Sequence, residues 1–441
     1  MKIKLISLII AIIFIFSGCS IGLKTVDQLI IPPKAYGENE GIQKAIDEKL
    51  ETGYVLKPPA TGSHTSAFIL YDIDKDGTDE ALAFYQPNKT SDQVNFIILK
   101  YFDNKWNYIQ EVQGQGSDIN MIEFGDIDGD GVNEIIVSWQ MFNNKEKRVL
   151  SIYKYSSKNN SAKIKKIKTN INFTSMLVLD FDRNNVDELL LFTIDTAKSP
   201  VEANARLFTS YGNKLKQIGE VTLDPNVKSY KNFMIQDLPN TNSPVVFADG
   251  YKGENIMVTE IVYWDSESKT LKAPLYDASS SSTVLTSKGI RVNSRDVNGD
   301  GIVEIATQGA LAGDVDENIL VVNWNQLVDL QLNSVATSII NENDGYMLML
   351  NEVAAGKDTA IYNNTKRELK IYEWDFENNV AGNEIYSIRA IKKSVWNTQQ
   401  IVGYEIIGSN ANLYYVAKIN EVENNSQITL DEISENIRIY K

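Results

Sequence analysis

Cysteine and histidine are almost absent from this sequence. Cys19 is the single cysteine and His64 the single histidine among 441 residues. Without a second cysteine the chain has no intramolecular disulfide and no thiolate metal site, and beyond Cys19 it has no cysteine nucleophile. His64 lies in TGSHTS, and the sequence has neither a G-x-S-x-G motif nor a second metal-ligating histidine to accompany it. We therefore interpret His64 as a loop or surface histidine.

The sequence also lacks a basic cluster and a glycine-rich phosphate loop. Its formal net charge is −15 at pH 7. An acidic surface repels phosphate, so we expect no nucleic-acid partner. Carboxylates are abundant, but none forms an isolated acid–base pair of the kind that a glycosidase needs. We therefore predict no catalytic residues.

The first residues have the layout of an export signal. MKIK is basic, LISLIIAIIFIF is apolar and FSGCS follows. The apolar run is too short to span a bilayer comfortably. FSGCS resembles a bacterial lipobox, apart from Phe16 at the usual leucine, and this resemblance implies lipidation of Cys19. We expect residues 1–18 to be a signal peptide, residues 19–36 a lipidated tether, and the chain to be anchored on the extracytoplasmic face of the cell membrane.

One acidic pattern occurs four times along the chain. It reads DIDKDGTDE from Asp72, DIDGDGVNE from Asp126, DFDRNNVDE from Asp180 and DVNGDGIVE from Asp296. The first three copies are spaced by 54 residues, and the longer gap before the fourth contains a degenerate copy that begins at Asp237. We call residues 72–80, 126–134, 180–188 and 296–304 the first to fourth loops, and we number their positions 1 to 9.

Short apolar segments flank each loop. They are four to six residues long and rich in Ile, Val, Leu and aromatic residues, which predicts buried strands. A unit of about four strands has the size of a β-propeller blade, and blades bury their faces by stacking around an axis. We therefore predict an all-β propeller of about seven four-stranded blades, including a sixth unit near Asp344 and a seventh in GYEIIGSNANLYYVAKI.

This architecture divides the chain into three parts after the tether. Residues 37–65 are expected to contain one amphipathic helix, over 37–52, and a lead-in. Residues 66–335 are expected to form the propeller repeats. Residues 336–441 are expected to form degenerate closing blades or a small cap, and ITLDEISENIRIYK is expected to supply either a closing strand or part of the cap.

The loops carry the ligands of a hard cation. Oxygen side chains at positions 1, 3 and 5, a backbone carbonyl at position 7 and an acid at position 9 suit Ca²⁺. An EF-hand would need its bidentate acid at position 12, where Ala83, Val137, Leu191 and Thr307 stand, and it would need flanking helices. The predicted metal ligands are Asp72, Asp74, Asp76, Thr78, Glu80, Asp126, Asp128, Asp130, Val132, Glu134, Asp180, Asp182, Asn184, Val186, Glu188, Asp296, Asn298, Asp300, Ile302 and Glu304.

The loops resemble those of FG-GAP or VCBS-type repeats, which form integrin-like β-propellers with a D-x-D-x-D-G-x-x-[DE] loop between the first two strands of a blade. Phe124-Gly125 matches the FG of that name, and Gly309-Ala310 is similar to the GA. The resemblance covers residues 66–325 well. It implies a propeller fold and calcium, and it implies no particular activity.

The four loops differ in charge, so we expect unequal sites. The third loop has Asn184 at position 5 and Asn185 in place of glycine, which predicts that it binds calcium most weakly. Sites of this kind hold Ca²⁺ at about 10⁻⁴–10⁻³ M, and three or four of them would together stabilise the fold by several kcal/mol. We expect a structural role for the ion.

Two functional hypotheses follow. The first is a binding or scaffolding module for a polysaccharide or a protein partner. The second is an enzyme, a lyase or glycosidase, that acts on envelope polysaccharide and carries a propeller domain. The absence of a catalytic constellation favours the first.

Overall fold

The computed structural model describes residues 38–440 except 142–143, 159–160, 168, 170, 213, 314–317, 351–355, 399–400 and 421–427. The predicted signal peptide, Cys19 and the tether lie outside the described residues. In the described part of the chain, no helix is both long and apolar enough to cross a membrane. The described residues form six antiparallel sheets and three short helices.

The first two sheets follow the N-terminal helix. This helix, α1, spans Glu38–Asp47, within the predicted range. The first sheet contains β1 (Val55–Leu56), β2 (Ile69–Tyr71), β3 (Glu80–Gln86), β4 (Asn95–Phe102) and β5 (Lys105–Gln113). The second contains β6 (Asp118–Gly125), β7 (Glu134–Met141), β8 (Asn144–Lys158), β9 (Ser161–Ile167) and β10 (Asn172–Phe173).

The third and fourth sheets have four strands each, in sequence order. The third contains β11 (Ser175–Leu179), β12 (Glu188–Asp195), β13 (Glu202–Tyr211) and β14 (Lys214–Thr222). The fourth contains β15 (Ser229–Asp237), β16 (Pro244–Tyr251), β17 (Met257–Asp265) and β18 (Thr270–Lys272). The degenerate copy at Asp237 connects β15 to β16, the position that the acidic loops occupy in the earlier sheets.

Residues 273–303 contain no strand and make only isolated bridges, one of them between Arg295 and Glu304. The fifth sheet then contains β19 (Glu304–Gln308), β20 (Leu320–Val328), β21 (Gln331–Asn341) and β22 (Tyr346–Leu350). The fourth loop therefore precedes the first long strand of its sheet instead of joining two strands.

The C-terminal part departs from the predicted blades. Asp344 lies in the turn between β21 and β22 of the fifth sheet, so no sixth unit begins there. The sixth sheet contains β23 (Asp358–Asn363), β24 (Glu368–Asp375), β25 (Val380–Lys392), β26 (Glu405–Ser409) and β27 (Leu413–Ile419), with α2 (Lys393–Trp396) inserted. The predicted seventh unit is therefore the β26–β27 pair of the sixth sheet.

The end of the chain returns to an earlier sheet. The helix α3 (Leu430–Asn436) begins with a capping box between Thr429 and Glu432. The last strand, β28 (Ile437–Ile439), pairs with β22 and so extends the fifth sheet. The C-terminal segment thus adds a strand to the sheet before the last one.

The core lies between consecutive sheets. Separate clusters of buried apolar side chains join the first sheet to the second, the second to the third, and so on to the sixth. The opposite face of the first sheet packs instead against Ile42 and Ile46 of α1. In the described residues, α1 therefore covers the face of the first sheet that does not pack against the second sheet.

Candidate metal centres

The four loops share one backbone conformation. In each loop the position-1 aspartate accepts a hydrogen bond from the backbone N–H of position 6, over 2.8–2.9 Å. The side chain at position 5 accepts from the N–H of position 7, over 2.7–3.0 Å. These bonds fold the loop around its acidic side chains, because each carboxylate or amide oxygen replaces a strand partner for the backbone.

Positions 4 and 6 are in the left-handed region of φ in all four loops. Glycine fills both positions in the second and fourth loops, with φ between 74° and 89°. The third loop uses Arg183 (φ 62°) and Asn185 (φ 65°), and the first has Lys75 (φ 56°) at position 4. Asn185 therefore supports the turn in place of glycine, as expected from its tolerance of this conformation.

Position 9 is a buried glutamate in every loop. Glu80 and Glu304 are fully buried, and Glu134 and Glu188 are 1% exposed. Their Oε2 atoms accept from the backbone N–H of position 2 over 2.7–3.0 Å. The glutamate thus closes the loop and directs its other oxygen towards the remaining acids.

In three loops the side chains at positions 1, 3 and 9 come together. They each place a ligand atom within 4.8 Å of the others, and each group could hold a metal ion: Asp72, Asp74 and Glu80; Asp126, Asp128 and Glu134; Asp180, Asp182 and Glu188. The fourth loop has Asn298 at position 3 and forms no such group of acids. Strands flank the first three loops on both sides, which excludes an EF-hand.

The predicted carbonyl ligands at position 7 are Thr78, Val132, Val186 and Ile302. Their N–H groups are bound to position 5. At position 5, Asp76 and Asp130 have half-exposed side chains, at 44% and 51%. Asp237 of the degenerate copy forms an ion pair with Arg183 and belongs to no acidic group.

The residue opposite position 9 on the next strand differs between sheets. Lys100 is paired with Glu80, and Gln326 is paired with Glu304. Lys154 and Thr209 take the same place opposite Glu134 and Glu188, one residue beyond the pairs Ile135–Tyr153 and Leu189–Phe208. The set of opposing residues is therefore Lys, Lys, Thr and Gln.

The two lysines bind the acids of their loops. The buried Nζ of Lys100 lies 2.9 Å from Asp74 Oδ2 and 2.8 Å from both Asp76 Oδ2 and Glu80 Oε1. Lys154 forms a close ion pair with Asp128 and lies 3.5 Å from Asp130 Oδ2. In the fourth loop, the Gln326 amide donates to Asp300 Oδ2 and Glu304 Oε1 over 2.9 and 2.8 Å.

The third loop has no such partner among the described ion pairs. Oε1 of Glu188 is buried and accepts no hydrogen bond. Burial, followed by the charges of Asp182 and Asp180, raises the pKa of Glu188 to about 8. Burial likewise raises the pKa of Glu134 to about 8. These carboxylates resist ionisation until a cation is near them.

A groove lies next to the first loop. Its volume is about 820 Å³, and it is lined by residues of α1, by the loop backbone and by the β4–β5 hairpin: Gly41, Lys44, Ala45, Glu48, Leu70, Gly77, Thr78, Asp79, Tyr101, Asn104, Lys105 and Trp106. Tyr101 and Trp106 meet edge to face with ring centroids 5.4 Å apart. The groove combines two aromatic rings with charged and amide groups.

His64 packs among aromatic side chains near the second loop. Its ring meets Phe124 and Tyr71 edge to face, at centroid distances of 5.2 and 5.9 Å, and those two rings stack on each other. Burial lowers the pKa of His64. The histidine thus packs as an aromatic side chain beside the Phe124-Gly125 pair.

The two lysines were not among the residues predicted from the sequence. Lys100 and Lys154 each stand 20 residues after the position-9 glutamate, in the similar segments ILKYF and IYKYS. The corresponding segment of the third repeat is LFTSY, with Thr209. An alignment of the repeats beyond the loops would have found the substitution.

No family model and no curated protein matches the chain. Among solved structures, a protein from Lactobacillus plantarum is similar, with 8% identity, 73% of this chain and 84% of that chain covered, and a TM-score of 0.30. A rhamnogalacturonan lyase of Bacillus licheniformis is 13% identical, with 70% and 72% covered and a TM-score of 0.31. Sqt1 of Chaetomium thermophilum is 10% identical, with 78% and 92% covered and a TM-score of 0.34. Similarity at this level assigns no activity to this chain.

Proposed function

We propose that this protein is a lipid-anchored extracytoplasmic module of propeller-like blades, stabilised by calcium, that binds a polysaccharide or a protein partner. The recurrence of the same acidic bend carries the proposal. Three groups of carboxylates with the same spacing, each closed by a buried glutamate, could hold a metal ion. Isolated surface acids would not need this common geometry.

The ligand atoms favour calcium over other metals. All side-chain ligands are oxygens, and the chain has no thiolate or imidazole in these loops. Such oxygen sets suit Ca²⁺ or Mg²⁺, and a loop that offers several oxygens from a flexible backbone suits the larger ion better. Calcium would neutralise acids that are otherwise crowded at the hairpin bends.

A propeller-like arrangement is supported by how the sheets pack. Each sheet shares a buried apolar cluster with the next one along the chain. Neighbouring loops are also joined directly, because Asn133 N–H donates to the carbonyl of Ile73 over 2.9 Å. A metal ion bound in one of the acidic loops would therefore stabilise the contact with a neighbouring blade as well as the bend itself.

The groove beside the first loop is the candidate ligand site. Aromatic rings such as Tyr101 and Trp106 present flat apolar faces, and the surrounding charged and amide groups can donate or accept hydrogen bonds. This combination fits a sugar chain, whose rings have both apolar faces and hydroxyl edges. No charged cluster of one sign lines the groove.

Two measurements test the proposal. Elemental analysis of protein equilibrated with millimolar calcium should find bound calcium, and chelator should lower the melting temperature. The purified chain should retain envelope polysaccharides, and Trp106→Ala should weaken that retention, whereas the control Tyr211→Ala on an exposed hairpin should not. If no calcium is retained, the proposed role of the loops is wrong.

The same polysaccharides test the enzyme hypothesis. Incubation with the protein should yield no new reducing ends and no unsaturated products if the chain is a binding module. Sustained turnover that is lost when one carboxylate outside the loops is replaced would establish the enzyme instead.

A further inference from the structure

We infer that the Lys100 and Lys154 ammonium groups take the place of the metal ion in the first and second loops, so that added calcium binds at the third loop. This inference rests on the proposed function, since it assigns the calcium to one of the three acidic groups. It also reverses the order of affinity that the number of charges in each loop predicts.

The first loop shows why an ammonium excludes the ion. Three of its predicted ligands, at positions 3, 5 and 9, lie 2.8–2.9 Å from Lys100 Nζ. Calcium would bind the same oxygens at about 2.3–2.6 Å, so the two cations compete for one place. Because the lysine is part of the chain, its binding costs no entropy of association, whereas calcium must be taken from solution.

The burial of Lys100 makes its displacement unfavourable. Its side chain is 8% exposed and extends from β4 to the acids of the first loop. If calcium displaced it, the ammonium would lose three carboxylate partners inside the protein. In the second loop, Lys154 pairs with Asp128 and Asp130, which stand at positions 3 and 5 as Asp74 and Asp76 do.

Among the three acidic groups, only the third lacks a lysine opposite position 9. Thr209 lies opposite Glu188, and a hydroxyl supplies neither a positive charge nor the reach of a lysine. Glu188 is 1% exposed and its Oε1 has no partner, whereas the matching oxygen of Glu80 is bound by Lys100. One position-3 oxygen is unpaired in all three loops, on Asp74, Asp128 and Asp182, so it does not distinguish them.

The arginine of the third loop pairs with an acid outside the loop. Arg183, at position 4, forms its ion pair with Asp237 at the end of β15. Asp180 and Asp182 are half-buried and Glu188 is buried, and no ion pair among the described residues joins this group to a cation. A divalent ion is the group that would complete it.

Moving the lysine between sheets tests the inference. Thr209→Lys should abolish most of the calcium-induced rise in melting temperature, should remove one calcium from the bound stoichiometry measured by calorimetry, and should raise the melting temperature in chelator. Thr209→Gln is the matched control, because a neutral amide already occupies this place in the fifth sheet as Gln326. It should keep calcium binding within about tenfold of the parent.

The reverse exchange is Lys100→Thr. It should lower the melting temperature in chelator by about 5 °C or more, because it leaves buried carboxylates unpaired. Calcium should restore the loss, and the bound stoichiometry should rise by one ion. If Lys100→Thr does not fold in chelator, recovery of the folded state when calcium is added supports the inference equally.

The results separate the inference from the proposed function. If the parent binds no calcium at any millimolar concentration, the calcium role fails as a whole. If the parent binds calcium, and Thr209→Lys binds the same number of ions with the same affinity, the inference is overturned while the calcium role stands. A Lys100→Thr protein that is destabilised and gains no calcium also overturns it.

Discussion

Asp126 and Asp187 exchange two hydrogen bonds across the boundary between the second and third sheets. The backbone N–H of Asp187 donates to the Asp126 carbonyl over 2.9 Å, and the N–H of Asp126 donates to Asp187 Oδ2 over 3.0 Å. Position 8 of one loop is thus bound to position 1 of the preceding loop. The loops are structural junctions between sheets, whatever ion they hold.

Replacing Asp187 should weaken this junction. Asp187→Ala removes the acceptor for the Asp126 N–H and should lower the free energy of unfolding by about 1–3 kcal/mol. Asp187→Asn keeps a carbonyl oxygen in the same place and should cost clearly less. Urea unfolding of the two variants measures the difference, and equal losses would show that the acceptor contributes nothing.

Gly125 should tolerate no side chain, because the third sheet approaches it closely. A Cβ at this position would lie 2.5 Å from Val178 Cγ1 and 3.0 Å from Asp187 Oδ2. Gly125→Ala should therefore lower the free energy of unfolding by about 1–3 kcal/mol. Gly253→Ala is the control, since nothing lies within 4 Å of its Cβ and it should change stability by at most about 0.5 kcal/mol. Similar losses in both variants would contradict the packing explanation.

Glu188→Gln should distinguish the contribution of metal binding to stability from that of the hydrogen bonds within the loop. The amide can still accept from the Phe181 N–H, a bond of 2.8 Å in the parent. In chelator the variant should be at least as stable as the parent, because a neutral amide replaces a buried carboxyl group whose ionisation is unfavourable without a cation. In calcium it should lose most of the metal-induced rise in melting temperature. The exposed Glu254→Gln is the control and should respond to calcium as the parent does; a full calcium response in Glu188→Gln would place the stabilising ion elsewhere.

Glu260 should make stability depend on pH between about 4.5 and 7. Burial raises the pKa of Glu260 to about 7, although Tyr230 and the Asp224 N–H donate hydrogen bonds to it. The folded state thus holds the proton more tightly than the unfolded state does. The stabilisation is complete below the unfolded pKa and is lost as pH rises through 7, by about 3 kcal/mol.

Glu260→Gln provides the comparison, because its side chain stays neutral across this range. Urea unfolding in chelator at pH 5 and pH 8 should show a smaller pH dependence in the variant than in the parent. An unchanged dependence would assign the effect to other groups.

The local features of this protein follow from interactions between residues that are close in the sequence. The spacing of Asp, Gly and Glu within nine residues fixes a loop, because each side chain binds backbone groups two to seven residues away. The short continuous apolar runs in segments such as EALAFY and ELLLF likewise predict strands that are buried on both faces. These interactions are short in sequence, so they can be predicted from sequence alone.

The placement of a lysine among the acids of a loop depends on the tertiary structure. Lys100 reaches its acids because β4 turns back on β3 in one particular register, and a shift of one residue would point its side chain to the other face. Other contacts also join distant or unrepeated segments. The strand β28 pairs with β22, about 90 residues earlier in the chain, and α1, which belongs to no repeat, packs on the first sheet. Such contacts depend on which distant segments pack together, and a local sequence pattern does not specify that pairing.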